Sequence, residues 1–266
     1  MPFSYESTAF EQYRKECEAH IIRHDMSSFY FKQHQLGYSY MHHPIYAYQV
    51  GFGKTKLLLT GGVHGRECIN SFALLCMLKH YSSHFSCYSD WFSSHSLFVI
   101  PMVNPDGYFL SLSDPLWKNN GRNVDINRNF PCKLWQPKWN GDQPMSEPET
   151  KLLIQAFHDI QPDFYFDIHS RGKGIYYYRS SMSNSYNDTQ KQIAETLSSF
   201  LGYTLYTPDE ETNPNDSGGN TVQYFAETFH KPAFTIETVQ ESVSFPISLS
   251  YITEIFSELL NMILLF

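Results

Sequence analysis

The 266-residue chain predicts an α/β domain built on a mixed, largely parallel sheet. Three observations carry this. Strand-like and helix-like stretches alternate through most of the length. Two short runs, KLLLT (56–60) and SLFVIPMV (96–103), are almost wholly apolar, as strands covered on both faces of a sheet must be. Hydrophobic content of 42% with only 17% charged residues is that of a folded globular chain, and the length is near the upper end for one domain.

Taken in order, residues 8–22 read as a helix, then 46–51 and 56–60 as strands, the second central in the sheet. Glycines 61, 62 and 65 let the backbone turn tightly into a helix over 65–81. Residues 96–103 form another buried strand. Residues 104–145 are loop-like and dense in Asn, Asp, Gly, Pro and Trp; a loop this long inside a compact domain is usually functional or disordered, and its aromatics favour function. Ser146-Glu-Pro-Glu149 is a capping-box signature opening a helix to 159. A strand over 164–169, an extended stretch over 174–179, helices over 191–201 and 220–228, a strand over 233–238 and a closing helix over 249–264 complete the pattern. One domain over 1–266 is expected, with 1–43 as a helical and extended lead-in.

Composition excludes several function classes. The net charge is −8 and Lys and Arg form no basic run, so phosphate neutralisation, and with it nucleic-acid binding, is not expected. Five Cys, at 17, 68, 76, 87 and 132, include no Cys-x-x-Cys pair, which suggests neither a disulfide framework nor a thiolate zinc site. The polar start MPFSYESTAFEQYRKECEAH lacks the basic and apolar regions of a signal peptide. The closing IFSELLNMILLF is shorter than the ~20 residues of a membrane span and is interrupted by Glu258. A cytoplasmic protein with reduced thiols and no membrane partner is expected.

In open α/β sheets the working residues lie outside the carboxyl ends of the strands. Here His64 and Glu67 follow the 56–60 strand, 104–107 follow the 96–103 strand, His169 ends the 164–169 strand and Glu237 nearly ends the 233–238 strand. A catalytic zinc site takes three protein ligands and keeps one open position. A His and a Glu at i and i+3 share one face, and His169 would be the third ligand. Each alone has a plainer reading: with twelve His in the chain one His-x-x-Glu pair arises by accident, and a single strand-end His is more often a satisfied core residue. The pair His80 and His84 lacks the adjacent acid of a His-Glu-x-x-His helix, and His42-His43 precede a proline in a turn; both read as surface or packing histidines. Glu237, in the apolar AFTIETV, is either a partnered core acid or a general base acting on a metal-activated water. The loop LWKNNGRNVDINRNFP is either a solvated charged loop or, with Arg beside Asn, a fork for a carboxylate.

The ordered set His64-x-x-Glu67, VNPDGY (103–108), VDINRNF (124–130), DIHS (167–170) and FTIET (234–238) resembles the zinc metallocarboxypeptidase family, over roughly residues 44–240. The resemblance implies a mixed eight-stranded sheet flanked by helices. It implies one zinc ion on His64, Glu67 and His169, with Glu237 as general base. Asn127 and Arg128 would hold the terminal carboxylate of a peptide substrate, and Asp125 would orient the first ligand histidine. Two departures stand out. The family's Trp-Arg-Lys segment reads Trp117-Lys118 here, leaving Lys118 or Arg122 to polarise the scissile carbonyl; Arg122 is preferred. The mobile Tyr before Ser-Gly-Gly is replaced by Pro214, leaving only Tyr206 or Tyr224 for that part.

SGGNTVQYFAETFHKPAFTIE and the later FPIS look like the bacterial γ-D-glutamyl-diaminopimelate peptidases, which cut peptidoglycan stem peptides. That resemblance implies action on recycled muropeptides. Thr221 after SGGN suits a polar side-chain pocket, and Arg171 and Arg179 are candidates for the second carboxylate of diaminopimelate. Rival expectations are an L-amino-acid metallocarboxypeptidase, a non-catalytic zinc- or peptide-binding relative, against which Glu237 speaks, and a zinc acyl-amino-acid hydrolase.

Overall fold

The computed structural model describes residues 9–23, 31–137, 143–211 and 218–266. Its strands are β1 (Phe31–Tyr38), β2 (Pro44–Val50), β3 (Thr55–Gly61), β4 (His95–Ile100), β5 (Phe164–Ser170), β6 (Gly174–Tyr176), β7 (Thr204–Leu205) and β8 (Ala233–Thr238). The helices are α1 (Ala9–Arg23), α2 (Ile69–Ser83), α3 (Ser89–Ser94), α4 (Pro105–Ser111), α5 (Pro148–Ile160), α6 (Asn184–Leu201), α7 (Pro208–Glu211), α8 (Thr221–Phe229) and α9 (Ile252–Met262). The strands form one mixed sheet in the order β1-β2-β4-β3-β5-β8-β6-β7. β4, β3, β5 and β8 run parallel at its centre, and β1, β2 and β6 pair antiparallel.

β3 is central because Leu57, Leu58 and Leu59 are buried on both faces. Side chains alternate across a sheet, and two apolar clusters follow that parity. Leu57, Leu59, Phe166, Ile168, Phe234 and Ile236 pack against α2, α6 and α9. Leu58, Tyr165 and Ala233 pack against α5 and α8. Thr60, Asp167, His169 and Glu237 share the parity of this second face. Because the four central strands run parallel, they bring their carboxyl ends to one edge, and His169 lies directly opposite Glu237 in the β5–β8 register.

Several elements depart from expectation. β1 is an edge strand drawn from the expected lead-in; its burial pattern has no fully buried position, so it carries no apolar alternation to read. α4 occupies the first part of the expected loop, capped by the Asn104 side chain accepting from the Gly107 N–H. β4 stops at Ile100 rather than 103, before Pro101. α6 begins at Asn184, ahead of the expected 191, because Ser183 caps it; its polar first two turns hide it from a periodicity search. The capping box at 146–149 does not form: α5 starts after Glu147 with no side-chain cap, and Ser146 Oγ donates to the Glu147 carboxylate instead. Cys68, Cys76, Cys87 and Cys132 are free thiols. Among the described residues no helix is long and apolar enough to cross a membrane.

Candidate metal centre

After β3 the chain turns at Gly62, whose φ of 61° only glycine adopts without strain. His64 caps a short 3-10 turn, Gly65–Glu67, that ends on Glu67, in place of the first turn of an α-helix. Gly65 lies so close to α4 that a Cβ there would come within 2.2 Å of the Gly107 carbonyl, and its N–H donates to the Lys118 carbonyl. The turn is thus fixed to both α4 and the following loop.

His64, Glu67 and His169 are all buried, with one ligand atom from each within 4.8 Å of the others. The Nδ1 atoms of His64 and His169 are each 2.9 Å from a different Glu67 oxygen and 3.2 Å from one another. On the far sides of the rings, Asp125 lies 3.3 Å from His64 Nε2 and Asp167 lies 2.9 Å from His169 Nε2. A carboxylate near each Nε2 favours a proton on that nitrogen, the tautomer that turns both Nδ1 lone pairs toward the Glu67 carboxylate. Lone pairs and an anion converging in a buried space require a cation. The donor set of two imidazoles and one carboxylate, with a cavity beside it, fits a catalytic divalent metal.

Electrostatics agree. Burial pushes the Glu67 carboxyl up, but His64 and His169 outweigh it and hold the group below the usual carboxylate range. Burial lowers the His169 pKa, yet Asp167 and Glu67 raise it well above that of an ordinary imidazole. The cluster therefore recruits positive charge, as protons or as a metal ion. Glu237 is the opposite case. Burial pushes its carboxyl up to about 8, with Glu67 and Asp167 adding to the rise and His169 opposing it. Its Oε2 is buried with no hydrogen-bond partner among the described residues.

His64, Glu67, His169 and Glu237 line one cavity of about 590 Å³, to which Lys118, Asn127, Arg128, Arg171 and Arg179 also contribute. Asp125 organises the loop beneath it, accepting from the Asn127 N–H and from Lys118 Nζ at 2.6 Å. Asn127 Oδ1 in turn accepts from the Thr221 N–H at the start of α8. Arg122 is placed elsewhere: its guanidinium sits 3.6 Å from buried Glu147 and over the Tyr40 ring, and it does not line the cavity. Of Lys118 and Arg122, it is Lys118 that stands at the cavity wall. Thr221 also departs from expectation. It is fully buried, its hydroxyl donates to Asp167, and Val222 and Gln223 line the cavity in its place.

Tyr224 stacks in the core between Phe130 and Phe157, while Tyr206 stacks on Tyr176 and over Gly174. Pro214 lies outside the described residues. His80 stacks on His84, and His43 binds Asp106, so neither joins the centre. Asp167 is the residue the sequence reading missed. Its signal was a second polar residue two positions before His169 on a buried strand, hence on the same face.

The sequence model of the zinc carboxypeptidase family matches residues 24–262. The chain belongs to the zinc carboxypeptidase family. Zinc is thus the ion that the His64–Glu67–His169 set fits. Murein peptide amidase A of Escherichia coli K12 is 33% identical over 129 residues, 42% of this chain and 48% of that protein. Gamma-D-glutamyl-L-diamino acid endopeptidase 1 of Lysinibacillus sphaericus is 22% identical over 254 residues, 80% of this chain and 62% of that one. The chain spans about half the length of the first curated relatives it matches. Among solved structures of the zinc carboxypeptidase fold, thrombin activatable fibrinolysis inhibitor superposes with a TM-score of 0.79 at 22% identity, covering 99% of this chain and 75% of that one. The murein-tripeptide amidase of E. coli O157 superposes at 0.60, with 22% identity and coverage of 87% and 91%.

Proposed function

We propose that this protein is a zinc-dependent peptidase that hydrolyses the γ-D-glutamyl–diaminopimelate bond of peptidoglycan-derived peptides, releasing the residue that bears the free C-terminal carboxylate. The observation that carries the reading is one cavity holding the metal triad, an unpaired Glu237 oxygen, the Asn127–Arg128 pair and the buried Arg179 together. The similarity to proteins named for murein peptides and γ-D-glutamyl bonds supports the same substrate class.

Bound zinc supplies a Lewis acid and lowers the pKa of water to about 7. A cation held by the triad would draw the Glu237 carboxyl back toward its ionised form, and Glu237, facing the triad, would then take a proton from the attacking water and return it to the leaving amine. Lys118, rather than Arg122, is the cation at hand for the charge developing on the scissile carbonyl oxygen. Asn127 and Arg128 grip the terminal carboxylate, the guanidinium fork matching its two oxygens. That contact restricts cleavage to the last residue. Arg179 lines the same cavity, its guanidinium braced by the Tyr178 and Ala233 carbonyls to which it donates, and would meet the distal carboxylate of a diaminopimelate side chain.

The test is incubation of zinc-loaded protein with L-Ala-γ-D-Glu-diaminopimelate and with α-linked L-peptides, products being read by mass spectrometry. Release of diaminopimelate is expected. Cleavage confined to the L-peptides would overturn the substrate assignment.

A further inference from the structure

The cavity has a second cationic end that the mechanism above does not use. Arg66 and Arg171 both line it, and both guanidinium groups sit over the ring of Phe245, at 4.8 and 5.4 Å from its centroid. Phe245 lies in the chain after β8 and packs against the α2/α9 cluster. Asn127 and Arg128 are tied instead to α8, and their neighbours Ile126 and Phe130 belong to the α5/α8 cluster. The carboxylate clamp is therefore anchored on the α5/α8 side and the ring that carries the arginine pair on the α2/α9 side, with the metal triad lining the same cavity. A peptide whose last carboxylate is held at Asn127–Arg128 and whose scissile carbonyl lies at the metal must send its acyl portion toward Arg66 and Arg171.

Neither guanidinium is committed to a carboxylate among the described residues, and Arg171 is exposed at the cavity rim. Arg66 Nε is buried without a hydrogen-bond partner among the described residues, and its nearest carboxylate is Glu67 at 4.0 Å, already engaged by both histidines. Arg171 has no carboxylate within ion-pair distance among the described residues, and Glu241, exposed on the same rim, pairs with neither. Stacking on one ring fixes the guanidinium planes while leaving their N–H edges to donate. Such a pair selects an anion.

We infer that Arg66 and Arg171, framed by Phe245, form a subsite for the free α-carboxylate of the residue that contributes the scissile carbonyl. A γ-linked glutamyl residue carries this group beside the bond to be cut; an α-linked residue has an amide there. The inference rests on the γ-glutamyl reading above and deepens it: these two arginines would distinguish the linkage, while Arg179 and the clamp read the leaving residue.

The test compares L-Ala-γ-D-Glu-diaminopimelate with its analogue in which the glutamyl α-carboxylate is a carboxamide. Wild type should cut the acid at least about tenfold more efficiently, in kcat/KM, than the amide, the loss of a charge-assisted pair. Arg171→Gln should lose that preference by slowing on the acid alone, with zinc content unchanged. Equal rates on acid and amide by wild type would refute the subsite and leave the proposed function standing. Cleavage of neither, with release from α-linked peptides, would overturn both. The acid–amide comparison needs no variant, so a misfolded Arg171→Gln cannot obscure it.

Discussion

Asp167→Asn isolates the residue that organises the metal centre from behind. The Asp167 carboxylate is fully buried and takes three contacts: Thr60 Oγ1 at 2.7 Å, His169 Nε2 at 2.9 Å and the Thr221 hydroxyl. An amide has one acceptor oxygen and one donor nitrogen. If its nitrogen faces His169, the imidazole must move its proton to Nδ1, the atom directed at the metal. If its oxygen faces His169, the tautomer survives, Thr60 must reverse its hydrogen bond and the negative charge behind the ring is lost. Both arrangements weaken the ligand. Changes to such supporting carboxylates cost roughly 10–100-fold in metal affinity, about 1.4–2.7 kcal/mol. A competition titration of zinc against a chromophoric chelator, with circular dichroism to verify the fold, measures this without reference to turnover. A zinc Kd within about twofold of wild type would show that His169 does not depend on Asp167 and would refute the reasoning.

Glu237→Gln should bind zinc as wild type does, by elemental analysis, and lose about 10²–10⁴-fold in turnover; an unchanged rate would remove the general-base role. Lys118→Met should lower kcat by about 10²–10³-fold, as removal of an oxyanion donor does, whereas Arg122→Gln should remain near wild type. The reverse ranking would return the carbonyl role to Arg122. Asn120→Leu strips a fully buried amide that accepts from the Arg122 and Val124 N–H groups and donates to Glu147 and Glu149. It should cost roughly 3 kcal/mol and lower Tm by about 6–12 °C, read by thermal melts; an unchanged Tm would show that this network does not hold the loop.

The ligands were legible because they sit at ends of strongly patterned strands. KLLLT and FYFDIHS advertise buried strands by local composition, and the candidate site residues lie within a few positions of each strand end. Glu237 was visible as an acid in an apolar run, with its partners unknown. β1 left no trace because an edge strand with no fully buried position needs no apolar alternation. The first turns of α6 were hidden by their polar face.

The sequence by itself determined the alternating α/β plan, the central parallel strands and the donor types at their carboxyl ends, because side-chain periodicity and strand-end position are local properties of the chain. Tertiary structure alone decided the rest. Lys118 rather than Arg122 lines the cavity because the loop folds back on Glu147 and Tyr40. Thr221 supports Asp167, 54 positions away, rather than lining a pocket, and Arg66 meets Arg171 across Phe245. Each of these is a contact between segments far apart in the chain, settled only when the sheet edge brings them together.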